Sequence, residues 1–365
     1  MQKEFISQKH AVSIMILFII GSTMVLGVGA EAKQDVWISI PLAMLMATPM
    51  FFVYARIVKL FPGNNLYEIL EILYGKIFGK SISVLFIWYS LHLGSLVIRN
   101  VTEFIQIVSI PETPQFILVI SVGLLAVYFI KLGIEVIGRW AKVIYVFSFI
   151  SIFTLFALSA AQIHPENIKP VLYNGLKPII KSATTVFSFP MAETVVFISF
   201  LGFLRKEDSP YKVYYKSMLI AGITITIAAV RNVMLLGVEL ASTLYFPSYS
   251  SVSLINISDF LQRAEIMITI IFLLSGFTKI CVCLYSTCIG IAKVFNFKDY
   301  RDIVIPTALI MINITYIIYN SAIEMFDWAA KIYKFYAFPF QVILPIIILI
   351  TAEIKTRAMK NKSTA

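Results

Sequence analysis

Ionisable residues lie inside long apolar stretches of this chain, where each of them needs a partner or a function. Glu193 follows Pro190 by three positions in one such stretch, and Lys279 lies deep in another with no acidic residue within a helical turn. A charge at the centre of a membrane helix costs roughly 2.5–3.5 kcal/mol on insertion scales. Positions that carry such a cost typically bind ligands, move ions or form ion pairs.

Two further charged pairs indicate structural or gating contacts. Arg99 and Glu103 are four residues apart, so they share a helix face and can neutralise each other, either as a structural ion pair or as part of a gate. Arg263 and Glu265 are two residues apart, so we expect them to face different directions and to find partners on other helices or in an outer loop.

Lys279 and Arg231 raise separate questions. A buried lysine loses its charge or finds a carboxylate, so Lys279 either has a distant acidic partner or stands where coupled transporters hold a cation. Arg231 and Glu239 are eight residues apart, which predicts roughly one face of the same helix unless Glu239 already lies at the outer boundary.

A glycine cluster interrupts the first apolar stretch, with Gly21, Gly27 and Gly29 within nine residues. Each glycine costs up to about 1 kcal/mol against alanine in a helix, so the cluster favours local unwinding. Unwound backbone inside a membrane must line a cavity or bind something. The alternative is close helix packing through small residues.

A second interruption is predicted at Pro190, because proline removes a backbone donor and clashes with the preceding turn. The two interrupted helices are separated in the way expected of two inverted five-helix repeats that share a central site. We therefore expect a ligand between them, with backbone amides of Gly27–Gly29 holding a carboxylate and carbonyls of Phe189–Met191 accepting from an ammonium or hydroxyl group. The predicted ligand-binding residues are Thr23, Gly27, Val28, Gly29, Phe189, Pro190, Met191, Glu193 and Thr278.

Composition identifies the elements that position these residues. The chain has 365 residues, of which 59% are hydrophobic and 14% charged, and its mean hydropathy is +0.87. This predicts an all-α polytopic membrane protein in contact with lipid, with about ten transmembrane helices of about 20 residues each. Hydropathy places them at 11–30, 36–60, 82–109, 114–132, 139–161, 178–201, 214–240, 262–292, 303–322 and 335–354.

The remaining segments are short. Asn64–Gly79 reads as an amphipathic helix on the membrane face, and Tyr245–Ser258 as an outer loop. We expect one transmembrane domain over 1–365, with repeat one at about 11–161 and repeat two at about 178–322. The tenth helix, 335–354, joins the five-plus-five core only if repeat two is extended to it, and a basic tail follows at 355–365.

The net charge of +10 is explained by the uneven distribution of basic residues across the predicted membrane. Of the 30 Lys and Arg residues, 20 fall on one side of the predicted membrane and six on the other, while four lie inside apolar runs. The richer side should be cytoplasmic and should hold both termini. This distribution predicts no nucleic-acid partner.

Enzyme and metal-site patterns are absent from the sequence, which contains no HExxH, GxSxG or Walker A motif. Cys281, Cys283 and Cys288 lie in one apolar run without metal-ligand spacing, so we interpret them as core residues. No enzyme activity, metal or cofactor is predicted.

Five elements in order resemble the B subunit of bacterial spore germinant receptors, a family of spore germination permeases in the amino acid, polyamine and organocation transporter superfamily. They are Gly21–Gly29, Arg99–Glu103, Pro170–Pro178, Pro190–Glu193 and Arg263–Glu265. The resemblance implies a leucine-transporter-like fold of two five-helix inverted repeats with helices 1 and 6 broken, in the spore inner membrane. It also implies a small nutrient germinant such as an amino acid or sugar, a larger membrane A subunit and a C-subunit lipoprotein.

One departure from the family pattern is the polar segment Glu31–Asp35, which predicts a short outer half of helix one. Two functions remain open: a nutrient-sensing receptor subunit that triggers germination, and a secondary amino acid transporter driven by an ion gradient. They differ in whether the ligand leaves on the far side of the membrane.

Overall fold

The structure is a computed structural model that describes residues 4–254 and 263–364, and over these ranges the chain is almost entirely helical. An isolated parallel bridge joins Ile6 to Leu204. Residues 255–258 of the predicted outer loop, residue 262 of the predicted eighth helix and the last residue of the predicted tail lie outside the described residues.

The α-helices in chain order are α1 Gln8–Ile20, α2 Thr23–Leu26, α3 Val36–Leu60, α4 Leu66–Val108, α5 Gln115–Leu132, α6 Ile134–Ser159, α7 Leu176–Val186, α8 Pro210–Leu236, α9 Val238–Thr243, α10 Pro247–Ser253, α11 Glu265–Phe295, α12 Val304–Ile317, α13 Ala322–Lys331, α14 Tyr333–Phe338 and α15 Leu344–Thr364.

Nine helical segments in the described part of the chain are long and apolar enough to cross a membrane. The predicted span 178–201 is not among them, because it is divided into α7, a wide turn at Phe187–Met191 and a 3-10 helix at Ala192–Ser199. Nine spans and one interrupted segment account for the ten predicted apolar segments.

The helices divide into a buried centre and a lipid-facing periphery. Every residue of α1 from Ala11 to Ile20 is buried, as expected of a helix that is apolar all round. The helix α11 packs most extensively against α4, and both are largely buried. By contrast, most residues of α5, α6 and α15 are not buried within the protein, so their surfaces are available to lipid. The centre therefore consists of α1, α4 and α11.

The predicted short amphipathic helix forms the start of α4, from Leu66 to a kink at Gly75 whose backbone is not helical. Its position on the membrane face stays a prediction. The side chains of Leu66, Ile69 and Leu70 are buried against protein, while Ile77 is 80% exposed. The apolar periodicity was real, but it reflects burial in the protein before the kink.

The predicted outer loop is also partly wrong, because Pro247–Ser253 forms α10. Proline is favourable in the first turn of a helix, where its missing N–H leaves no bond unmade. Ser248 and Ser251 belong to this helix and are buried. This segment has a composition typical of loops, but it forms a short helix that packs against helix one.

Candidate functional site

Helix one is interrupted where the glycines predict it. The helix α1 ends at Ile20, and the four-residue α2 is followed by Gly27 and Gly29 at φ +69° and +85°. Such backbone angles favour glycine. The outer half of helix one is short, as the polar segment Glu31–Asp35 predicts.

The glycine cluster combines the two interpretations that the sequence left open. A Cβ atom at Gly21 would lie 3.0 Å from the carbonyl oxygen of Ser275, so Gly21 allows α11 to approach closely. Gly27 and Gly29 lie in unwound backbone instead. A Cβ atom at Gly27 would lie 2.6 Å from Cγ of Pro247, so α10 closes on the break.

Helix six is interrupted at Phe189, whose φ of −130° and ψ of 112° are not helical, and the Phe189–Pro190 peptide is cis. The next segment carries Glu193, which is fully buried. Pro190 therefore has the predicted effect of breaking the sixth helix.

Glu193 and Lys279 form a buried ion pair. The Nζ atom of Lys279 donates to Oε2 of Glu193, and the hydroxyl group of Tyr333 donates to Oε1. The same Nζ atom lies 4.8 Å from the ring centre of Phe18 and 5.1 Å from that of Phe189, within the range of cation–π attraction. The ammonium group thus links helix one, the break in helix six and α11.

One face of α11 contacts the end of α1 and the helix-six break. Ser275, which contacts Gly21, and Lys279, which contacts Glu193, are four residues apart and share a helix face. The end of α1 and the break in helix six are therefore neighbours along α11.

Further hydrogen bonds hold the helix-six break. Gln341 is fully buried, and its Nε2 atom donates to the Ser188 carbonyl at 2.8 Å and to the Tyr89 hydroxyl at 2.9 Å. The Tyr54 hydroxyl donates to the Gln341 carbonyl at 2.5 Å. The sequence analysis did not identify Gln341, Tyr89, Tyr54 or Tyr333 as residues of this site. The amide of Gln341 within an apolar run was the available signal.

The pair on α4 forms as predicted. Nε of Arg99 lies 2.9 Å from Oε2 of Glu103, and Nε2 of Gln115 donates to the same oxygen at 2.8 Å. Both charged residues are buried. A gating role for the pair stays a prediction.

The prediction that Arg263 and Glu265 face different directions is wrong. Nε of Arg263 lies 3.6 Å from Oε1 of Glu265. The helix α11 begins only at Glu265, so helical spacing does not apply to Arg263.

The shared face predicted for Arg231 and Glu239 is wrong for a similar reason, because α8 ends at Leu236 before Glu239. Glu239 instead lies 3.3 Å from Nζ of Lys33, beside the helix-one break.

A cavity of about 50 Å³ lies against the helix-one break. It is partly open and is lined by the break, by one face of α8, and by α9 and α10. At about 10–15 Å³ for each water molecule, it holds roughly three to five waters, or a ligand with about that number of heavy atoms. The cavity is thus the size of a small metabolite.

The predicted ligand-binding residues divide between this cavity and the ion pair. Thr23, Gly27, Val28 and Gly29 line the cavity. The others do not line it: they are Phe189, Pro190, Met191, Glu193 and Thr278. Thr278 donates its hydroxyl to the Leu274 carbonyl of its own helix at 2.9 Å. Sequence reasoning missed the opposite wall, which includes Asn232 and Ser248.

This architecture, with long membrane-crossing helices and two interrupted helices against one central helix, defines a transporter-type membrane fold. MhsT in complex with L-phenylalanine shares it, with a TM-score of 0.68 and 12% identity over 96% of this chain and 99% of that chain. So does Mhp1, a nucleobase-cation-symport-1 family transporter, with a TM-score of 0.69 and 12% identity over 95% and 78%. These similarities confirm the predicted leucine-transporter-like fold.

The chain belongs to the spore germination protein family, whose model matches residues 5–324. Spore germination protein KB of Bacillus subtilis strain 168 is 25% identical over 361 residues, which cover 98% of this chain and 97% of that protein. The putative spore germination protein YfkT of the same organism is 27% identical over 280 residues, 76% of each chain. The predicted resemblance is confirmed, and the chain is a multi-pass membrane protein and not an enzyme.

Proposed function

We propose that this protein is the nutrient-sensing subunit of a spore germinant receptor. It binds a small molecule, such as an amino acid or a sugar, within the membrane and thereby triggers germination. The cavity against the unwound Gly27–Gly29 backbone, in a chain of the spore germination protein family, is the observation that carries this proposal. Unwound backbone in a membrane is tolerated where it lines a cavity, and a ligand there meets free backbone groups.

The proposed receptor contains partners that the family resemblance implies. These are a larger membrane A subunit and a C-subunit lipoprotein, assembled with this chain in the spore inner membrane. A tagged chain isolated from spore membranes should retain both partners, and recovery of the chain alone would count against this assembly.

A secondary amino acid transporter is the second candidate function. The fold shared with MhsT, which was solved with L-phenylalanine, favours it. Both candidates use a ligand site inside the membrane. They differ in whether binding is followed by release on the other side.

We expect binding without concentrative uptake. Spores that carry the intact protein should respond to a nutrient that spores lacking it ignore, and the purified chain in proteoliposomes should bind that nutrient. Radiolabelled nutrient should not accumulate above its equilibrium content, because a sensor needs only a shift between conformations. Concentrative uptake that disappears when ion gradients are dissipated would establish the transporter function instead.

We also propose that both termini are cytoplasmic, from the bias of 20 basic residues to six. A reporter active only in the cytoplasm should work when fused after Ala365 or inserted within 205–216. The same reporter inserted within 169–177 should be inactive, and activity there would reverse the orientation.

A further inference from the structure

Arg231 is a buried cation without an acidic partner in the described part of the chain. Its side chain is 2% exposed, and Nη2 donates to Oδ1 of Asn232 at 3.1 Å and to Oγ of Ser251 at 3.3 Å. Its Nε atom has no hydrogen-bond partner. The other two buried lysine and arginine residues within 4–254 and 263–364, Arg99 and Lys279, each contact a carboxylate. An uncompensated buried charge is costly, so Arg231 needs an explanation that packing does not give.

The hydrogen bonds of Arg231 lead to the cavity. Oδ1 of Asn232 accepts from Arg231 and, at 2.8 Å, from Ser251, which directs the amide nitrogen of Asn232 to Oγ of Ser248 at 2.8 Å. Asn232 and Ser248 line the cavity, whereas Arg231 lies behind them. The Ser248 hydroxyl accepts this bond and donates to no described residue. This wall therefore has a free hydroxyl donor with a positive charge behind it.

The opposite wall also carries donors. The backbone N–H groups of Gly27, Val28 and Gly29 make no hydrogen bond within residues 4–254 and 263–364. Among the described residues no aspartate or glutamate lines the cavity, and its one charged lining residue, Lys33, is already paired with the exposed Glu239. The rest of the lining is mostly aliphatic. Free donors, a nearby positive charge and no acid match an anion with a small apolar body.

We infer that this cavity selects a small carboxylate, whose charge is balanced by Arg231 acting through Asn232 and Ser248. The inference rests on the proposed function and narrows its ligand from any nutrient to an organic anion. The cavity volume accommodates an anion of about three to five heavy atoms, the size of acetate or propionate. Arg231 is a positioning residue, because Asn232 and Ser248 lie between it and the ligand.

The test compares carboxylates with neutral amides of the same shape on the purified full chain. The probes are acetate and acetamide, propionate and propionamide, and L-alanine and L-alaninamide, with glucose as a neutral sugar. At least one carboxylate should bind roughly 10- to 100-fold tighter than its amide, as expected for a hydrogen-bonded charge. The Arg231→Gln variant should lose that preference.

Ligand-free stability separates this role from a structural one. The melting temperature of Arg231→Gln should stay level or rise, because an unpaired buried charge is removed. The matched control Arg99→Gln leaves Glu103 unpaired, so it should melt at a lower temperature and keep the carboxylate preference. A lower melting temperature of Arg231→Gln, or an unchanged preference, would overturn the inference.

The wild-type protein separates the inference from the proposed function. Binding of glucose without any preference for carboxylates would overturn the inference and leave the receptor proposal intact. Failure of the folded wild-type protein to bind any carboxylate probe would overturn the inference. The receptor proposal is contradicted only if the purified protein also fails to bind the nutrient to which spores respond through it.

Discussion

Replacing Glu193 with glutamine should destabilise the folded protein by about 3–5 kcal/mol, the usual effect of removing one member of a buried ion pair. The ammonium group of Lys279 would remain in a site that is 0% exposed, with no other carboxylate in contact among the described residues. Lys279→Met should be similarly destabilising, because it leaves the Glu193 carboxylate with Tyr333 alone. Melting temperature and membrane abundance measure both effects.

The double variant Glu193→Gln/Lys279→Met separates the pair from its individual charges. It should recover most of the lost stability, since replacing both members of a buried pair by neutral groups is often neutral or stabilising. The exposed pair Glu135–Arg139, with Nη2 of Arg139 2.9 Å from Oε1 of Glu135, provides the control. Glu135→Gln should change stability by no more than about 0.5 kcal/mol. A double variant as unstable as the single variants would show that the pair itself is not what holds these helices.

Replacing Ala229 with leucine should raise the nutrient concentration needed for germination at least tenfold, or abolish the response. Ala229 lies on α8 and lines the cavity of about 50 Å³, and the three added carbon atoms would occupy most of that space. Folding should be little affected, because the larger side chain enters empty space rather than a packed core. The measurement is the dose dependence of germination in spores with matched amounts of the variant.

Ala229 tests the cavity better than the glycines do. Gly27 has a φ of +69°, and a Cβ atom there would lie 2.6 Å from Cγ of Pro247, so its replacement would distort the break itself. Ala157→Leu on the exposed face of α6 adds the same side chain away from the cavity and should leave the response unchanged. A normal response from Ala229→Leu would place the ligand elsewhere.

Features that depend on local sequence could be predicted. The span 36–60 coincides with α3, because a run of apolar residues fixes a membrane helix almost by itself. Both breaks were also predicted, since Gly27 and Pro190 act on their own turns of helix. The same reasoning was wrong for Arg263 and Glu265, because α11 begins only at Glu265.

Contacts between distant helices could not be predicted in this way. Glu193 and Lys279 are 86 residues apart, and hydropathy shows only that each needs a partner. The cavity wall formed by Asn232 and Ser248 depends on how α10 folds back over helix one. Such contacts follow from helix packing, which the spacing within one helix does not determine.

Equilibrium binding to purified protein tests most directly whether the cavity at the helix-one break is the ligand site. A nutrient that triggers germination through this protein should be titrated against the wild-type chain, Ala157→Leu and Ala229→Leu, each with a normal melting temperature. We expect the same Kd for the wild-type chain and Ala157→Leu, and a Kd at least tenfold higher for Ala229→Leu. An equal Kd for all three proteins would contradict the ligand site proposed here.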